Sequence, residues 1–200
     1  MKKIDKIKKM LRIIIILFAA VILIYTIIFV LPKRKVTVKE EDKIMDYVLY
    51  ESNTEFYKEV FSKLKEELKK EEIDYKKYAE YMSELFIIDL YTLEGKNNKT
   101  DIGGKMYIFD SIKKNFILNA SNTLYKYVGL QKELPKVNSI ELLDIKDSEY
   151  SLNDKNYNGY KVYLKWGYEK DLGYDNEGCV IVIRDNDKLY VVEKNDERID

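Results

Sequence analysis

Two aspartates interrupt apolar stretches of this 200-residue chain and are the residues best placed for acid–base chemistry. Asp89 lies inside the apolar run 85–93, and Asp110 follows Phe109. A carboxylate in apolar surroundings must be hydrogen-bonded or neutral. Paired carboxylates in a pocket can also act as general acid and general base.

The chain has 18 tyrosines, and several could satisfy such an acid. We expect Tyr91, Tyr107 and Tyr160 to be the candidates that lie near Asp89 at the polar end of a pocket. Tyrosines at helical and strand spacing belong more often to a core or an interface than to a catalytic centre. We therefore predict a structural hydrogen bond for Asp89 and no catalytic residue.

Other reactive groups are scarce. The chain has no histidine, which excludes Ser-His-Asp catalysis and His-ligated zinc. The single Cys179 stands in an apolar run and is predicted to be a buried packing residue.

Residues 154–159 match the first half of a calcium loop, but Lys165 occupies the position that needs a bidentate Glu, so we predict a hairpin there. The pair Gly103-Gly104 belongs to no phosphate-binding motif. We predict no cofactor and no metal site.

A run of nineteen uncharged residues from Ile13 to Leu31 is long enough to cross a bilayer as a helix. A cleaved secretory signal is the alternative. This apolar core is longer than that of a signal, and no small residues mark a cleavage site at its end. The pattern therefore predicts an uncleaved single-pass anchor with the lipid bilayer as a partner.

The basic residues near the anchor indicate its orientation. Six Lys or Arg residues precede the run, and three follow it directly. Cytoplasmic flanks carry the excess of Lys and Arg. We expect a cell-membrane protein with a cytoplasmic N-terminus and an extracytoplasmic C-terminal domain.

Charge is unevenly distributed. The whole chain is neutral, but residues 1–35 hold nine basic residues and one acid, which leaves 26 basic and 34 acidic residues in 36–200, a net charge of −8. Nucleic-acid binding needs clustered Lys and Arg. We therefore predict no nucleic-acid partner.

Helical periodicity dominates the first half of the domain. Apolar residues 44, 45, 48 and 49 have helical spacing, and a capping box with Ser52 as N-cap predicts a helix over 53–71. Asp74 is expected to cap a second helix that ends near Gly95. A third is predicted over 106–128.

From Val137 the apolar period changes to two, which predicts strands over 137–146, 159–169, 178–184 and 188–194. Helices followed by strands indicate an α+β fold, here three helices packed on a curved four-stranded antiparallel sheet. The predicted organisation is a basic cytoplasmic tail (1–12), the transmembrane helix (13–31), a juxtamembrane helix or linker (32–52) and the extracytoplasmic domain (53–200).

This order of tail, anchor, three helices and four strands resembles the inner-membrane scaffold family of type IV secretion and conjugation machines, in the form carried by Gram-positive conjugative elements. The stretches Tyr91-Thr92-Leu93, Asp101–Gly104, Asn115-Phe116 and Thr123–Tyr127 look like a recurring Firmicutes signature. The resemblance implies a cone-shaped domain similar to nuclear transport factor two and to cystatins. No functional residue can be carried over from it.

Two functions remain open from the sequence. The first is a non-enzymatic scaffold whose external domain docks on protein partners or on copies of itself. The second is a membrane-tethered ligand-binding or enzymatic domain with a pocket between helices and sheet, because the same cone fold often encloses one.

Overall fold

The computed structural model describes residues 16–18, 20, 21 and 43–199. Residues 16–18, 20 and 21 are helical. No helix within the described residues is long and apolar enough to cross a membrane. The predicted tail (1–12), most of the predicted anchor (Ile13 to Leu31) and residues 32–42 lie outside the described part, so those predictions stand as made.

The described residues 43–199 belong to one compact unit with an α+β fold, as the sequence predicts. The helices are α1 (Glu55–Glu67), α2 (Tyr75–Tyr91) and α3 (Asp110–Asn122), and the strands are β1 (Lys43–Ile44), β2 (Tyr47–Val48), β3 (Val137–Leu152), β4 (Lys155–Tyr168), β5 (Glu177–Asp185) and β6 (Lys188–Asn195). Helix α2 packs on the four-stranded sheet, and α1 packs on α2. Helix α3 lies further out, since Ala120 is its only buried residue.

The helical spacing predicted around residues 44–49 is wrong. Strands β1 and β2 pair antiparallel in a short hairpin, with Met45 at a positive φ of 51° in its turn. The hairpin carries Tyr47 into the core, where its side chain is fully buried. The hairpin thus packs in the same core as the predicted domain (53–200).

The helix ends differ from the predicted ones for local reasons. Thr54, not Ser52, caps α1, and its Oγ1 accepts a hydrogen bond from the backbone N–H of Tyr57 at 3.2 Å. Asp74 caps α2 as predicted, but this helix ends at Tyr91, short of Gly95.

Helix α3 begins four residues later than predicted. The backbone before it runs along the edge of β6, where Val191 N–H donates to Tyr107 O at 2.8 Å and Phe109 N–H donates to Val191 O at 3.1 Å. Peptide groups used in this pairing are not free to make helical bonds.

The sheet has the antiparallel order β3-β4-β5-β6, and all four predicted strands are confirmed, with β3 and β4 longer than expected. Asn153 and Asp154 turn from β3 into β4 with φ of 50° and 59°. Left-handed values at both positions suit a two-residue hairpin turn. The predicted hairpin, rather than a calcium loop, is confirmed here.

Both faces of the sheet are buried. On β5, Val180 and Val182 face the main core, while Cys179, Ile181 and Ile183 belong to a second apolar cluster on the opposite face. The predicted burial of Cys179 is confirmed. No helix among the described residues is part of the cluster's buried core. The sheet instead coils strongly enough for Tyr150 Oη of β3 to donate to Glu193 Oε2 of β6 at 3.2 Å, which joins its two outer strands.

Gly159 lets strand β4 approach β5 where the sheet coils. A Cβ atom at this position would lie 1.8 Å from the carbonyl oxygen of Val182, a backbone atom that cannot move aside. Glycine inside a strand often marks such a close approach of two backbones.

We expect Gly159→Ala to lower the free energy of unfolding by about 3 kcal/mol, because β4 must move away from β5. Chemical denaturation of the purified chain measures this change. Gly173→Ala is the matched control: its φ of 75° is strained for alanine, but its Cβ would meet no atom within 4 Å. Equal losses in the two variants would contradict the close approach.

Candidate functional site

The predicted polar pocket is not assembled as expected. Asp89 forms no hydrogen bond with Tyr91, Tyr107 or Tyr160 among its described contacts. Tyr107 lies in the central core, Tyr91 faces the end of the sheet, and Tyr160 lies on β4 beside Asp147. The predicted structural hydrogen bonding of Asp89 is nevertheless present, with other partners.

Asp89 fixes the loop that follows α2. Its Oδ2 accepts from the backbone N–H of Gly104 at 2.7 Å, and its Oδ1 accepts from Lys96 Nζ at 3.1 Å. A Cβ atom on Gly103 would lie 1.9 Å from the backbone oxygen of Asp89. The glycine pair is therefore explained by close packing against the end of α2.

Tyr125 completes this attachment. Its hydroxyl donates to the carbonyl oxygen of Leu90 at 2.7 Å and accepts from the backbone N–H of Gly103 at 2.9 Å. Burial raises the pKa of this phenol, so it stays protonated and able to donate. Asp89 and Tyr125 together hold the 95–104 loop against α2, which gives both residues a structural role.

A chain of buried tyrosines occupies the core between the β1–β2 hairpin, the helices and β6. Tyr47 Oη and Tyr78 Oη are 2.7 Å apart, and Tyr47 Oη also bonds the carbonyl oxygen of Leu189 at 2.9 Å. The ring of Tyr47 stacks on that of Tyr107, whose hydroxyl bonds that of Tyr57. Burial raises the pKa of Tyr78 to about 12, and burial also raises the pKa values of Tyr47, Tyr57 and Tyr107. These phenols are neutral hydrogen-bonding groups.

The candidate site is an apolar cleft of about 380 Å³ between α2, α3 and β6, called here the α2–α3–β6 cleft. Its walls are mainly apolar side chains from the three elements: Phe86, Leu90, Ile108, Ile112, Phe116, Ala120, Leu124 and Val191. Asn115 and Asn119 contribute amides from α3, and Tyr91, Thr123, Glu193 and Lys194 lie at its margin. Small-molecule pockets fall in the range of about 300–1,000 Å³ and are likewise mostly apolar.

The charged groups at the margin of the cleft already have partners. Lys194 Nζ contacts Asp196 Oδ1 at 2.6 Å and Asp175 Oδ2 at 3.3 Å. Burial alone would lower the pKa of Lys194, but these carboxylates and Tyr91 raise it above its usual range. Glu193 accepts from Tyr150 and from Asn195. The margin therefore offers no free acid or base, and the open polar groups are the amides of Asn115 and Asn119.

The remaining sequence candidate, Asp110, is exposed at the start of α3. Its Oδ1 pairs with Lys113 Nζ at 2.6 Å, which holds the pKa of this carboxyl below its usual range. Within residues 43–199 no group of three or more His, Cys, Asp or Glu side chains could hold a metal ion. The cleft residues of α3 escaped sequence reasoning, although Asn115 and Asn119 lie four residues apart beside apolar positions, a spacing that places both on one helix face.

We expect Asp89→Asn to destabilise the domain by about 1–2 kcal/mol, because one charge-assisted acceptor is lost and the amide faces the ammonium of Lys96. The amide of Gly104 should then exchange its hydrogen faster, as measured by NMR. Asp154→Asn is the matched control, since it removes the same charge in a hairpin turn where asparagine is accommodated. Unchanged protection of Gly104 would contradict this role.

Glu84 of α2 is the acid with the most unfavourable surroundings, and sequence reasoning missed it. The residue is 7% exposed, and no ion pair or hydrogen bond to it is found within the described chain. Burial, and then the neighbouring Glu80, raise its pKa to about 7. Its position between Ser83 and Leu85 in a largely buried helix was the available signal.

This pKa predicts a pH dependence of stability. The unfolded chain loses the proton near pH 4.5 and the folded chain near pH 7, so folding is progressively disfavoured between these values. We expect Glu84→Gln to remove a penalty of about 3 kcal/mol above pH 7 and to change little below pH 4.5. Denaturation curves across this range test the sign, with exposed Glu66→Gln as control. Parallel curves for the parent and Glu84→Gln would refute the assignment.

Comparisons with known proteins found no relative of this chain. No protein-family model, no curated protein and no solved structure matches the chain.

Proposed function

We propose that this chain is a single-pass membrane-anchored scaffold protein whose extracytoplasmic domain binds a protein partner in the α2–α3–β6 cleft. The observation that carries the proposal is the chemistry of the cleft: an open apolar groove whose charged neighbours are already paired. Such a groove suits apolar side chains of a partner segment, with Asn115 and Asn119 available to bond its backbone. It offers little to a charged substrate.

The anchor and the resemblance supply the setting. The apolar run from Ile13 to Leu31, with basic residues at both ends, supports a cell-membrane location with the N-terminus in the cytoplasm. The order of three helices and four strands is compatible with a cone-shaped domain similar to nuclear transport factor two. We therefore propose an envelope-spanning assembly of the secretion or conjugation type as its setting, with other proteins or copies of itself as partners.

A second candidate function is the binding of a small apolar ligand. The volume of about 380 Å³ and the apolar walls favour it, because small-molecule sites have this size and composition. The polar end would be formed by Asn115, Asn119 and Tyr91, and not by Asp89, which does not line this cleft.

A photocrosslinking amino acid at Asn119 tests the scaffold function in intact cells of the source organism. Asn119 and Asn122 are both exposed on α3, but only Asn119 lines the cleft. We expect the photocrosslinker at position 119 to give an adduct with a protein. The same photocrosslinker at position 122 should give a severalfold weaker adduct. The full chain should also remain with the membrane fraction after alkaline extraction, and its release would contradict the anchor.

The added substitution Ala120→Met should fill the cleft and suppress the adduct at position 119. Equal adducts at both positions, or an adduct indifferent to Ala120→Met, would contradict binding in the cleft. A co-purifying small molecule that is lost in Ala120→Met, without any protein adduct, would favour the second candidate.

A further inference from the structure

Positive charge is concentrated in one segment of an acidic domain. Residues 95–136 contain eight lysines and three acids, a net charge of +5. The rest of the described domain, residues 43–94 and 137–199, contains 17 basic and 27 acidic residues, a net charge of −10. This segment, which includes α3 and the turns after it, therefore differs in sign from its surroundings.

The same segment exposes large apolar side chains. Leu130 is 81% exposed, Leu118 57% and Tyr127 51%. Outside the predicted anchor, the other strongly exposed apolar residues of the described chain are Met45, Leu143 and Ile199, each below 40%. Single exposed apolar residues are ordinary on protein surfaces. Leu118, Tyr127 and Leu130 differ from such residues because all three lie in the basic segment.

The turn formed by residues 126–132 holds two of these exposed side chains, Tyr127 and Leu130, on a well-packed backbone. Val128 is buried, and the backbone N–H of Leu130 donates to Tyr127 O at 3.0 Å. Gly129 has a φ of 88°, and a Cβ there would lie 2.9 Å from the backbone oxygen of Asn97. The turn is thus packed against the 95–104 loop, while the side chain of Leu130 is exposed on its outer side.

Lysines flank these apolar residues without acidic partners. Lys126 and Lys132 bracket the turn, and Lys114 lies one helical turn before Leu118 on the same face of α3. The ammonium of Lys126 lies 5.0 Å from the centre of the Tyr127 ring. Among the described residues, none of these three lysines has an ion pair, so all three charges are available to an external anion.

We propose that the 126–132 turn of the folded domain contacts an anionic bilayer surface, with Leu130 and Tyr127 entering the headgroup region and Lys126 and Lys132 contacting lipid phosphates. Leucine at an apex, tyrosine at headgroup depth and flanking lysines are the combination that an interface of this kind selects. A protein partner is less well suited, because stable protein interfaces bury about 800 Å² on each side. A convex turn with two apolar side chains offers far less. This contact is separate from the α2–α3–β6 cleft.

The test places an environment-sensitive fluorophore at position 130. The full chain with Leu130→Cys is labelled, while buried Cys179 remains unreactive because burial raises its thiol pKa to about 11. The labelled chain is reconstituted in nanodiscs of phosphatidylcholine alone or mixed with phosphatidylglycerol. Ser62→Cys, at an exposed position on α1, is the matched control. If the chain elutes apart from the discs, that result contradicts only the predicted anchor. The label at position 130 is then read on vesicles of both lipid compositions.

We expect a blue-shifted label at position 130, shielded from aqueous quencher, in the phosphatidylglycerol mixture and not in phosphatidylcholine alone. The label at position 62 should stay aqueous in both. Each of Lys126→Gln and Lys132→Gln should reduce the ratio of inserted to aqueous label roughly fivefold. An aqueous label at position 130 in the anionic discs would overturn the proposal. So would shielding that ignores lipid charge or that requires two copies in one disc, since both results indicate docking on protein.

Discussion

The burial of helix α2 on almost every side is the constraint around which the domain is built. Eleven of its 17 residues are buried, so several of its polar side chains lie where water reaches them poorly. Buried polar groups usually receive partners on folding, although Ser83 Oγ and Glu84 have none among the described residues. The β1–β2 hairpin brings Tyr47 to Tyr78, and the 95–104 loop brings backbone N–H groups to Asp89. The connections that surround α2 are thus determined by its polar groups as much as by its apolar ones.

The sheet buries its second face by coiling. A sheet with helices on one face normally leaves the other face wet, yet here the second face is buried around Cys179 and Ile183. The contact between Tyr150 and Glu193 shows that the two outer strands approach each other across that face. Gly159 lets β4 lie close to β5 within the coiled sheet, because it removes the side chain that would strike the carbonyl oxygen of Val182. The domain obtains a second core without a further layer.

Periodicity in the sequence reveals the long helices and strands but not the partners of their side chains. The alternation of Tyr160, Val162, Leu164 and Trp166 predicts β4, and Asp74 predicts the start of α2, because both signals depend on local geometry. The β1–β2 hairpin and the late start of α3 depend on distant residues, Tyr78 and Val191, that no local pattern contains. Asp89 could be predicted as a hydrogen-bonded acid, but its partners are the backbone of Gly104 and a lysine. Backbone donors leave no signature in composition.

Helix α3, the least buried of the three helices, forms one wall of the α2–α3–β6 cleft, the surface best suited to bind a partner. Helix α3 contributes a single buried residue, Ala120, while α2 and β6 belong to the buried core. One wall of the cleft is therefore held weakly and the other two firmly. A segment that enters the cleft would bury Ile112 and Phe116 further and so add to the packing of α3 at little cost to the core. The basic residues on the outer face of the same helix do not take part in that packing. Under the two proposals α3 therefore serves two contacts at once: its inner face closes the cleft, and its outer face with the following turn meets an anionic surface.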